Sequence, residues 1–142
     1  MAEQDVKTSK NMPTIILQTF INSDIETCFD LSRSIDLHKI STSHTNEKAI
    51  AGTTSGLINL DEFVTWEVVH FGVKQRLTTK ITQFNRPIHF RDEQVKGAFR
   101  YFKHDHYFEK RGDKVLMRDV FDFKSPLGLL GKLVDQLVLL SI

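Results

Sequence analysis

The chain from 62 to 125 alternates apolar and polar residues with a period of two, interrupted at short intervals by residues that favour turns. Because successive side chains of a strand point to opposite faces, this alternation predicts a series of antiparallel strands with one apolar and one solvated face. The pattern is clearest at 73–82, where the apolar positions are odd and the charged positions even: Val73, Leu77 and Ile81 against Lys74, Arg76 and Lys80. The odd positions of this strand are therefore predicted to face inward.

After the strands, apolar residues recur at spacings of three and four through 126–142, which is typical of an amphipathic helix. Ser125 is placed to cap this helix, and Pro126 occupies its first position, where the missing amide hydrogen costs nothing. The apolar face comprises Leu129, Leu130, Leu133, Val134, Leu137 and Val138. The run is shorter than the roughly 20 residues of a membrane span and polar residues interrupt it, so no stable membrane insertion is expected.

The first third of the chain is predicted to contain one strand and two short helices. The strand is expected at 14–21. A capping box then follows, in which Ser23 and Glu26 open a helix that runs to about Arg33. A second short helix is expected near 35–40.

The length and composition fit one domain. The 142 residues, 40% of them apolar, are enough for one compact core and too few for two. Residues 13–142 are predicted to form this domain, with a weak strand at 48–52, and residues 1–12 to form a disordered tail. The predicted fold class is α+β, with about seven strands and with two short helices between the first and the second strand.

The connections between strands fix which positions share a face, because a two-residue hairpin loop pairs an odd position with an even one. A tight turn at Phe71 and Gly72 places the even positions of the preceding strand inward: Val64, Trp66, Val68 and His70. A two-residue loop at Asn85 and Arg86 does the same for the following strand: Ile88, Phe90, Asp92 and Gln94. The inner face thus mixes apolar side chains with ionisable ones.

A third hairpin is predicted to bring histidine and aspartate together. The inner face of its first strand carries Phe102, His104, His106 and Phe108. Its second strand contributes Val115, Met117, Asp119, Phe121 and Phe123. Whichever two residues of 111–113 form the centre of the turn, one of His104 and His106 lies opposite Asp119.

The predicted inner face carries more polar residues than a dry core tolerates: Gln75, Thr79, Asp92, Gln94, His104, His106 and Asp119. Each buried polar group left unpaired costs about 1–3 kcal/mol, so water or a ligand is the expected partner. Apolar walls with a few convergent polar groups are what a small-molecule site requires. The alternative is a bulge that shifts the phase of one strand and turns some of these groups outward.

The charge balance argues against polyanionic partners. Nineteen Lys and Arg against eighteen Asp and Glu leave a formal net charge of +1, so no strong field attracts nucleic acid or an anionic membrane. Aromatic and basic residues alternate at 99–103, but Asp105 and Glu109 favour a solvated sheet face there over nucleic-acid stacking. The single cysteine, Cys28, excludes an internal disulfide, and 1–14 contain no apolar leader, so a cytoplasmic protein is expected.

The order of elements resembles the helix-grip fold of the SRPBCC superfamily, which includes START-like lipid-transfer domains and polyketide cyclase/dehydrase-like proteins. The resemblance covers 14–142 and rests on VTWEVVHFGVKQ at 64–75, HDHYF at 104–108 and MRDVFDFKSPLG at 117–128. It implies a curved antiparallel sheet wrapped around the long C-terminal helix. Between them it implies a cavity for lipids, polyketides or other hydrophobic molecules.

The preferred interpretation is a carrier or sensor that binds a small hydrophobic molecule between the C-terminal helix and the sheet. The residues predicted to bind it are Trp66, His70, Leu77, Phe90, Asp92, Phe102, His104, His106, Met117, Asp119, Phe121, Leu130 and Val134. A second interpretation is an enzyme of the polyketide cyclase/dehydratase type that uses the same cavity, with His104, His106 and Asp119 as candidate catalytic residues. A third is a protein-interaction module whose cavity is incidental.

Individual residues also have simpler interpretations. His104 and His106 are spaced to bind a metal with Asp119 as third ligand, but no Cys-rich or Glu-rich ligand set accompanies them, so no metal and no cofactor is expected. Trp66 is more typical of a packed core than of a stacking partner, and Cys28 of an inert buried thiol. The pattern favours no particular oligomeric state.

Overall fold

The structure, a computed structural model, describes residues 2–9, 12–70 and 72–125. In chain order these ranges form β1 (Ala2–Ser9), β2 (Met12–Ile21), α1 (Ile25–Ser32), α2 (Ile35–Ser41), β3 (Lys48–Gly52), β4 (Phe63–His70), β5 (Val73–Asn85), β6 (His89–Lys96), β7 (Tyr101–Arg111) and β8 (Lys114–Lys124). A single 3₁₀ turn, Ser43–Thr45, follows α2. The predicted C-terminal helix at 126–142 lies outside the described residues.

All of the described strands belong to one antiparallel sheet, in the order β1-β2-β8-β7-β6-β5-β4-β3. Between β2 and β3 the chain forms α1 and α2, whose buried residues join the same apolar cluster as those of β4 to β8. The face of the sheet that they cover is the inner face. The α+β class, the seven predicted strands and the two short helices are therefore confirmed. In the described ranges no helix is long and apolar enough to cross a membrane.

The N-terminal segment differs from the prediction. Residues 1–12 were expected to be disordered, whereas Ala2–Ser9 forms β1 and pairs with β2 from Ala2↔Thr19 to Ser9↔Met12. An edge strand is held by its backbone hydrogen bonds to one neighbour and needs no apolar alternation of its own. Its polar sequence therefore gave no indication of a strand, and the sheet gains an eighth member.

The connection between β5 and β6 also differs, because it contains three residues, 86–88, and not two. Ile88 consequently lies in this loop, 51% exposed, instead of on the inner face. A bulge between Ile81 and Gln83 then shifts the register, so that Ile81 pairs with Asp92. The two deviations compensate each other, and the predicted inward position of Asp92 is correct.

The remaining hairpins follow the prediction. β4 pairs with β5 up to His70 and Val73, which is the register predicted for this hairpin. At the end of β7 the turn is centred on Gly112 and Asp113, and Gly112 adopts the positive φ of 63° that glycine tolerates best. His106 is thereby placed directly opposite Asp119.

Helix α1 begins one residue later than the predicted capping box. Asp24 is the N-cap, and its Oδ1 accepts a hydrogen bond from the backbone N–H of Thr27 at 2.8 Å. The Thr27 hydroxyl donates to the other oxygen of Asp24 at 2.7 Å. Asp24 therefore takes the N-cap role that was assigned to Ser23, and the Thr27 hydroxyl contacts the Asp24 side chain instead of the N-cap backbone N–H.

Phe29 joins α1 to the sheet. It is 0% exposed, and its ring makes edge-to-face contacts with Phe84, Phe90 and Phe108 at centroid distances of 5.3, 5.2 and 5.4 Å. The adjacent Cys28 is a free thiol and is buried, as predicted. Phe29 is thus the central side chain of the core.

Asp30 ties α1 to the loop between β5 and β6. It accepts hydrogen bonds from Arg33 Nε at 2.9 Å and from both Nε and Nη2 of Arg86 at 3.1 and 2.8 Å. The hydrogen bond from Arg86, partly offset by desolvation and reinforced by Arg33, lowers the pKa of Asp30 from 3.8 to about 2. The ionised carboxylate therefore stabilises the fold.

We expect Asp30→Asn to lower the free energy of unfolding by about 1 kcal/mol near neutral pH, since the pair is partly solvent-screened. Because the folded pKa lies below the unfolded one, this contribution is complete above about pH 4 and is lost as the pH falls towards 2. Urea unfolding of both proteins at several pH values measures it. A difference that stayed constant down to pH 2 would contradict the assignment.

Candidate functional site

A cavity of about 400 Å³ lies between the inner face of the sheet and the two helices. Ten of the predicted ligand-binding residues line it: Trp66, Leu77, Phe90, Asp92, Phe102, His104, His106, Met117, Asp119 and Phe121. Their contact with a ligand stays a prediction. His70 is the last residue of β4, and its side chain lies outside what the structure describes, as do Leu130 and Val134.

Three adjacent strands bring four ionisable groups together at this cavity. His104 and His106 are two residues apart on β7, so both point to the inner face. Across the ladder on one side His104 pairs with Asp92 of β6, and on the other side His106 pairs with Asp119 of β8. We call these four residues the Asp–His cluster.

The side chains of the Asp–His cluster contact one another directly. Asp119 Oδ1 lies 3.0 Å from His104 Nε2 and 3.0 Å from His106 Nδ1. Asp92 Oδ2 lies 3.0 Å from His106 Nε2 and 3.7 Å from His104 Nδ1. An ionised carboxylate only accepts hydrogen bonds, so His104 carries a proton on Nε2 and His106 donates from both ring nitrogens.

Aromatic side chains shield the cluster from water. Phe90 stacks on the His106 ring at a centroid distance of 4.0 Å, and Phe121 stacks on the His104 ring at 3.8 Å. The side chains of His106 and Asp119 are each only 11% exposed. The charges of the cluster therefore interact in an environment of low dielectric constant.

The cluster shifts the pKa values of its members in opposite directions. Burial alone would lower the pKa of His106, but the hydrogen bonds and negative charges of Asp119 and Asp92 outweigh it and raise the pKa to about 9. Burial lowers the pKa of His104, and the charge of His106 lowers it further. Burial would raise the pKa values of both carboxyls, but the two histidines lower them below the ordinary range. One charged imidazole thus lies between two carboxylates, beside one neutral imidazole.

We expect the ring nitrogens of His106 in metal-free protein to titrate near pH 9, and those of His104 below the ordinary value of 6.5. Because the folded pKa of His106 is raised, its protonation stabilises the fold fully below about pH 6.5, and this contribution is lost as the pH rises through about 9. Nitrogen-15 NMR of the histidine side chains in the presence of a chelator measures both values. Titration of both rings together near pH 6.5 would contradict this description.

Helix α2 supplies residues that were not predicted. His38 lines the cavity, lies 3.0 Å from Glu47 Oε2 through its Nε2 and packs its ring 4.4 Å from that of Trp66. It follows the buried Ile35 by three residues, so a helical projection would have placed both on one face. Trp66 is half-buried and lines the cavity, where it contacts His38 in addition to the core.

One predicted inner polar residue has protein partners instead of a ligand. The side-chain amide of Gln94 donates to the carbonyl of Phe99 at 2.8 Å, and its oxygen accepts from the Phe99 N–H at 3.2 Å. Both polar atoms of Gln94 are satisfied by the backbone that connects β6 to β7. Gln94 therefore shapes the loop, whereas the Asp–His cluster remains at the cavity.

Three members of the cluster could also hold an ion. Asp92, His104 and His106 each offer one oxygen or nitrogen atom, and these atoms lie within 4.8 Å of one another.

Ser32, which also lines the cavity, is not free to act as a nucleophile. Its hydroxyl donates to the backbone carbonyl of Cys28 at 2.8 Å. It is therefore engaged within α1, and among the described side chains it has no histidine partner of the kind that a nucleophile needs.

Comparison with solved structures identifies the fold. Protein TTHA0849 from Thermus thermophilus superposes with a TM-score of 0.66 at 14% identity, over 91% of this chain and 86% of that one. The major latex-like protein 151 from Panax ginseng gives 0.62 at 15% over 92% and 93%. A START superfamily protein from Mycobacterium smegmatis gives 0.62 at 12% over 89% and 90%. The resemblance to the START-like fold is therefore confirmed.

Comparison with protein-family models finds no match, and comparison with curated proteins finds none either. The identities to the solved structures are low, so these structures establish the fold of this chain and not its activity.

Proposed function

We propose that the protein is a carrier or sensor that binds a small hydrophobic molecule in the cavity. The observation that supports this most strongly is the cavity of about 400 Å³, whose walls are largely apolar and which carries the Asp–His cluster on its sheet side. Sites for small molecules combine apolar walls, which supply affinity, with a few polar groups, which fix orientation. The sequence resemblance implied a cavity between the sheet and the C-terminal helix, and that helix lies outside the described residues. In the described residues the cavity is bounded by the sheet and by α1 and α2.

Apolar burial provides the driving force in this proposal. A ligand that buries about 300 Å² of apolar surface gains on the order of 7 kcal/mol before the costs of association and ordering. About 7 kcal/mol alone corresponds to micromolar affinity, so micromolar affinity is the upper limit and these costs weaken it. Trp66, Leu77 and Met117 supply apolar contacts from three different strands. The polar end of the ligand faces the Asp–His cluster, which favours a donor group such as a hydroxyl or an amine over a carboxylate.

An enzyme of the polyketide cyclase/dehydratase type is the second candidate. The observation that favours it is the contact of His104 and His106 with carboxylates at the cavity wall, since paired imidazole and carboxylate groups support general acid–base chemistry. His104→Ala separates the two candidates: catalysis predicts lost turnover with retained ligand binding. Equal loss of both assigns His104 to ligand positioning.

The proposed binding is tested by filling the cavity from one strand. Met117 lines the cavity, whereas the adjacent Leu116 points to the opposite face of β8. Met117→Trp places an indole in the cavity, and Leu116→Trp adds the same group outside it. The probe is aminoanthracene, a small apolar fluorophore with one amine donor.

We expect aminoanthracene to bind the unmodified protein with a saturable rise in fluorescence, and Met117→Trp to weaken binding about tenfold or more. Leu116→Trp should bind as the unmodified protein does. Circular dichroism establishes that both variants are folded. Equal affinity in all three proteins would place the probe elsewhere and contradict the proposal.

A further inference from the structure

In the Asp–His cluster, Asp119 contacts one nitrogen of each histidine ring. Its Oδ1 lies 3.0 Å from His104 Nε2 and 3.0 Å from His106 Nδ1. One carboxylate thus fixes the orientation of two imidazoles and determines which nitrogen of His104 carries the proton. In metal sites the ligating histidine characteristically donates its other ring N–H to a carboxylate in this way.

The two remaining ring nitrogens converge on Asp92. His106 Nε2 lies 3.0 Å and His104 Nδ1 lies 3.7 Å from Asp92 Oδ2. Zinc bonds of about 2.0–2.1 Å in a tetrahedral site separate neighbouring ligand atoms by about 3.3 Å. The two separations from Asp92 lie on either side of this value, and all three atoms lie within 4.8 Å of one another. One ion therefore fits between them with small side-chain movements.

We propose that Asp92, His104 and His106 bind one divalent first-row transition ion, which displaces the proton of His106 Nε2 into solvent, with Asp119 as the carboxylate that positions both imidazoles. Two nitrogen ligands and one oxygen ligand suit zinc, iron or cobalt and disfavour magnesium and calcium, which prefer all-oxygen sites. All three ligands line the cavity, so the open coordination positions face the space where a small molecule binds.

The sequence led us to expect that no metal binds. The contacts of Asp119 and Asp92 in the structure are the reason for proposing a metal site. From sequence Asp119 was the third potential ligand, whereas the structure places it behind both rings and puts Asp92 at the converging nitrogens. The proposed metal site does not depend on the hydrophobic ligand, because its ligands come from the protein alone. Its test is therefore separate from the binding of aminoanthracene.

The test is a titration of chelator-treated protein with Zn²⁺ by isothermal titration calorimetry, repeated with Co²⁺ by visible absorption. We expect saturable one-to-one binding, and a d–d absorption typical of four- or five-coordinate Co²⁺ with nitrogen and oxygen ligands. Asp92→Asn and His104→Ala should abolish the one-to-one binding. Asp119→Asn should weaken it about 10–100-fold, as loss of an outer carboxylate does.

His89→Ala is the matched control. His89 is on the opposite face of β6, where its Nε2 donates to Asp105 Oδ1 at 2.7 Å. Its removal should leave Zn²⁺ affinity unchanged. Only variants with the circular dichroism of the unmodified protein enter the comparison.

A second measurement needs no variant. In the nitrogen-15 NMR spectrum of the unmodified protein, Zn²⁺ should shift the ring resonances of His104 and His106 and leave those of His89 in place. Absence of saturable Zn²⁺ binding overturns the proposal, and the Asp–His cluster is then a hydrogen-bonded network without an ion. Binding that persists in both Asp92→Asn and His104→Ala, or shifts confined to other histidines, overturns it equally.

Discussion

Replacing Phe29 with alanine is expected to lower the free energy of unfolding by about 3–5 kcal/mol. Phe29 is 0% exposed and its ring contacts three other phenylalanine rings, one of which, Phe90, also stacks on His106. The substitution removes the transfer free energy of the ring and leaves a cavity that the rigid sheet cannot close. Since domains are stable by roughly 5–15 kcal/mol, this is a large part of the total.

Urea unfolding followed by circular dichroism measures the loss, and Phe20→Ala is the matched control. Phe20 is also a phenylalanine next to α1 in the chain, but it is 50% exposed on the outer side of β2. Its replacement should cost well under about 1 kcal/mol. Similar losses for both variants would show that Phe29 is not the central side chain of the core.

Replacing Asp119 with asparagine in metal-free protein is expected to cost about 3 kcal/mol, because it removes one partner from a buried charge cluster. His106 then keeps only Asp92 as a carboxylate neighbour, at 3.0 Å. The asparagine has nearly the shape of the aspartate, so lost packing contributes little. The pKa of His106 should consequently fall from about 9 towards the ordinary value of 6.5.

Unfolding measurements give the stability lost in Asp119→Asn, and NMR titration gives the pKa of His106. Together they show whether the loss comes from the missing charge of Asp119 or from altered packing. Asp113→Asn is the control, since Asp113 lies in the exposed turn between β7 and β8 and should change stability by less than about 0.5 kcal/mol. An unchanged pKa of His106 in Asp119→Asn would show that the carboxylate does not hold the imidazolium. The protonation states assigned to the cluster would then be wrong.

The hairpin of β7 and β8 could be predicted from sequence almost completely. Side-chain alternation has a period of two, and either admissible two-residue turn keeps His104, His106 and Asp119 on one face. Only the partner of each histidine needed the structure, which pairs His106 with Asp119 and His104 with Asp92. The sequence pattern thus predicted which residues share the inner face, but not which carboxylate lies opposite each histidine.

Other features depend on contacts that the local pattern does not encode. The three-residue loop at 86–88 and the bulge between Ile81 and Gln83 each change which residues of a strand face inward. The sequence pattern predicted neither of them. The β1 strand relies on backbone pairing with β2 and has no apolar face. His38 reaches the cavity because α2 packs over it, which is a tertiary property. Sequence therefore predicted the faces of strands better than their connections.

Asp92 shows how the two kinds of information combine. Its inward position was predicted, but its role at the converging nitrogens of both histidines follows only from the relative placement of β6, β7 and β8. A single-sequence pattern cannot supply distances between side chains on different strands. The distinction between a metal ligand and a positioning carboxylate rests on those distances.

Native mass spectrometry of protein isolated from cells without detergent or organic solvent tests directly whether the cavity holds a small hydrophobic molecule. We expect a small hydrophobic molecule to accompany the unmodified protein and the Leu116→Trp variant, and to be absent from Met117→Trp. Unfolding in organic solvent should release it. The same adduct on folded Met117→Trp, or no adduct on the unmodified protein, would contradict the claim that the cavity is built to hold such a molecule.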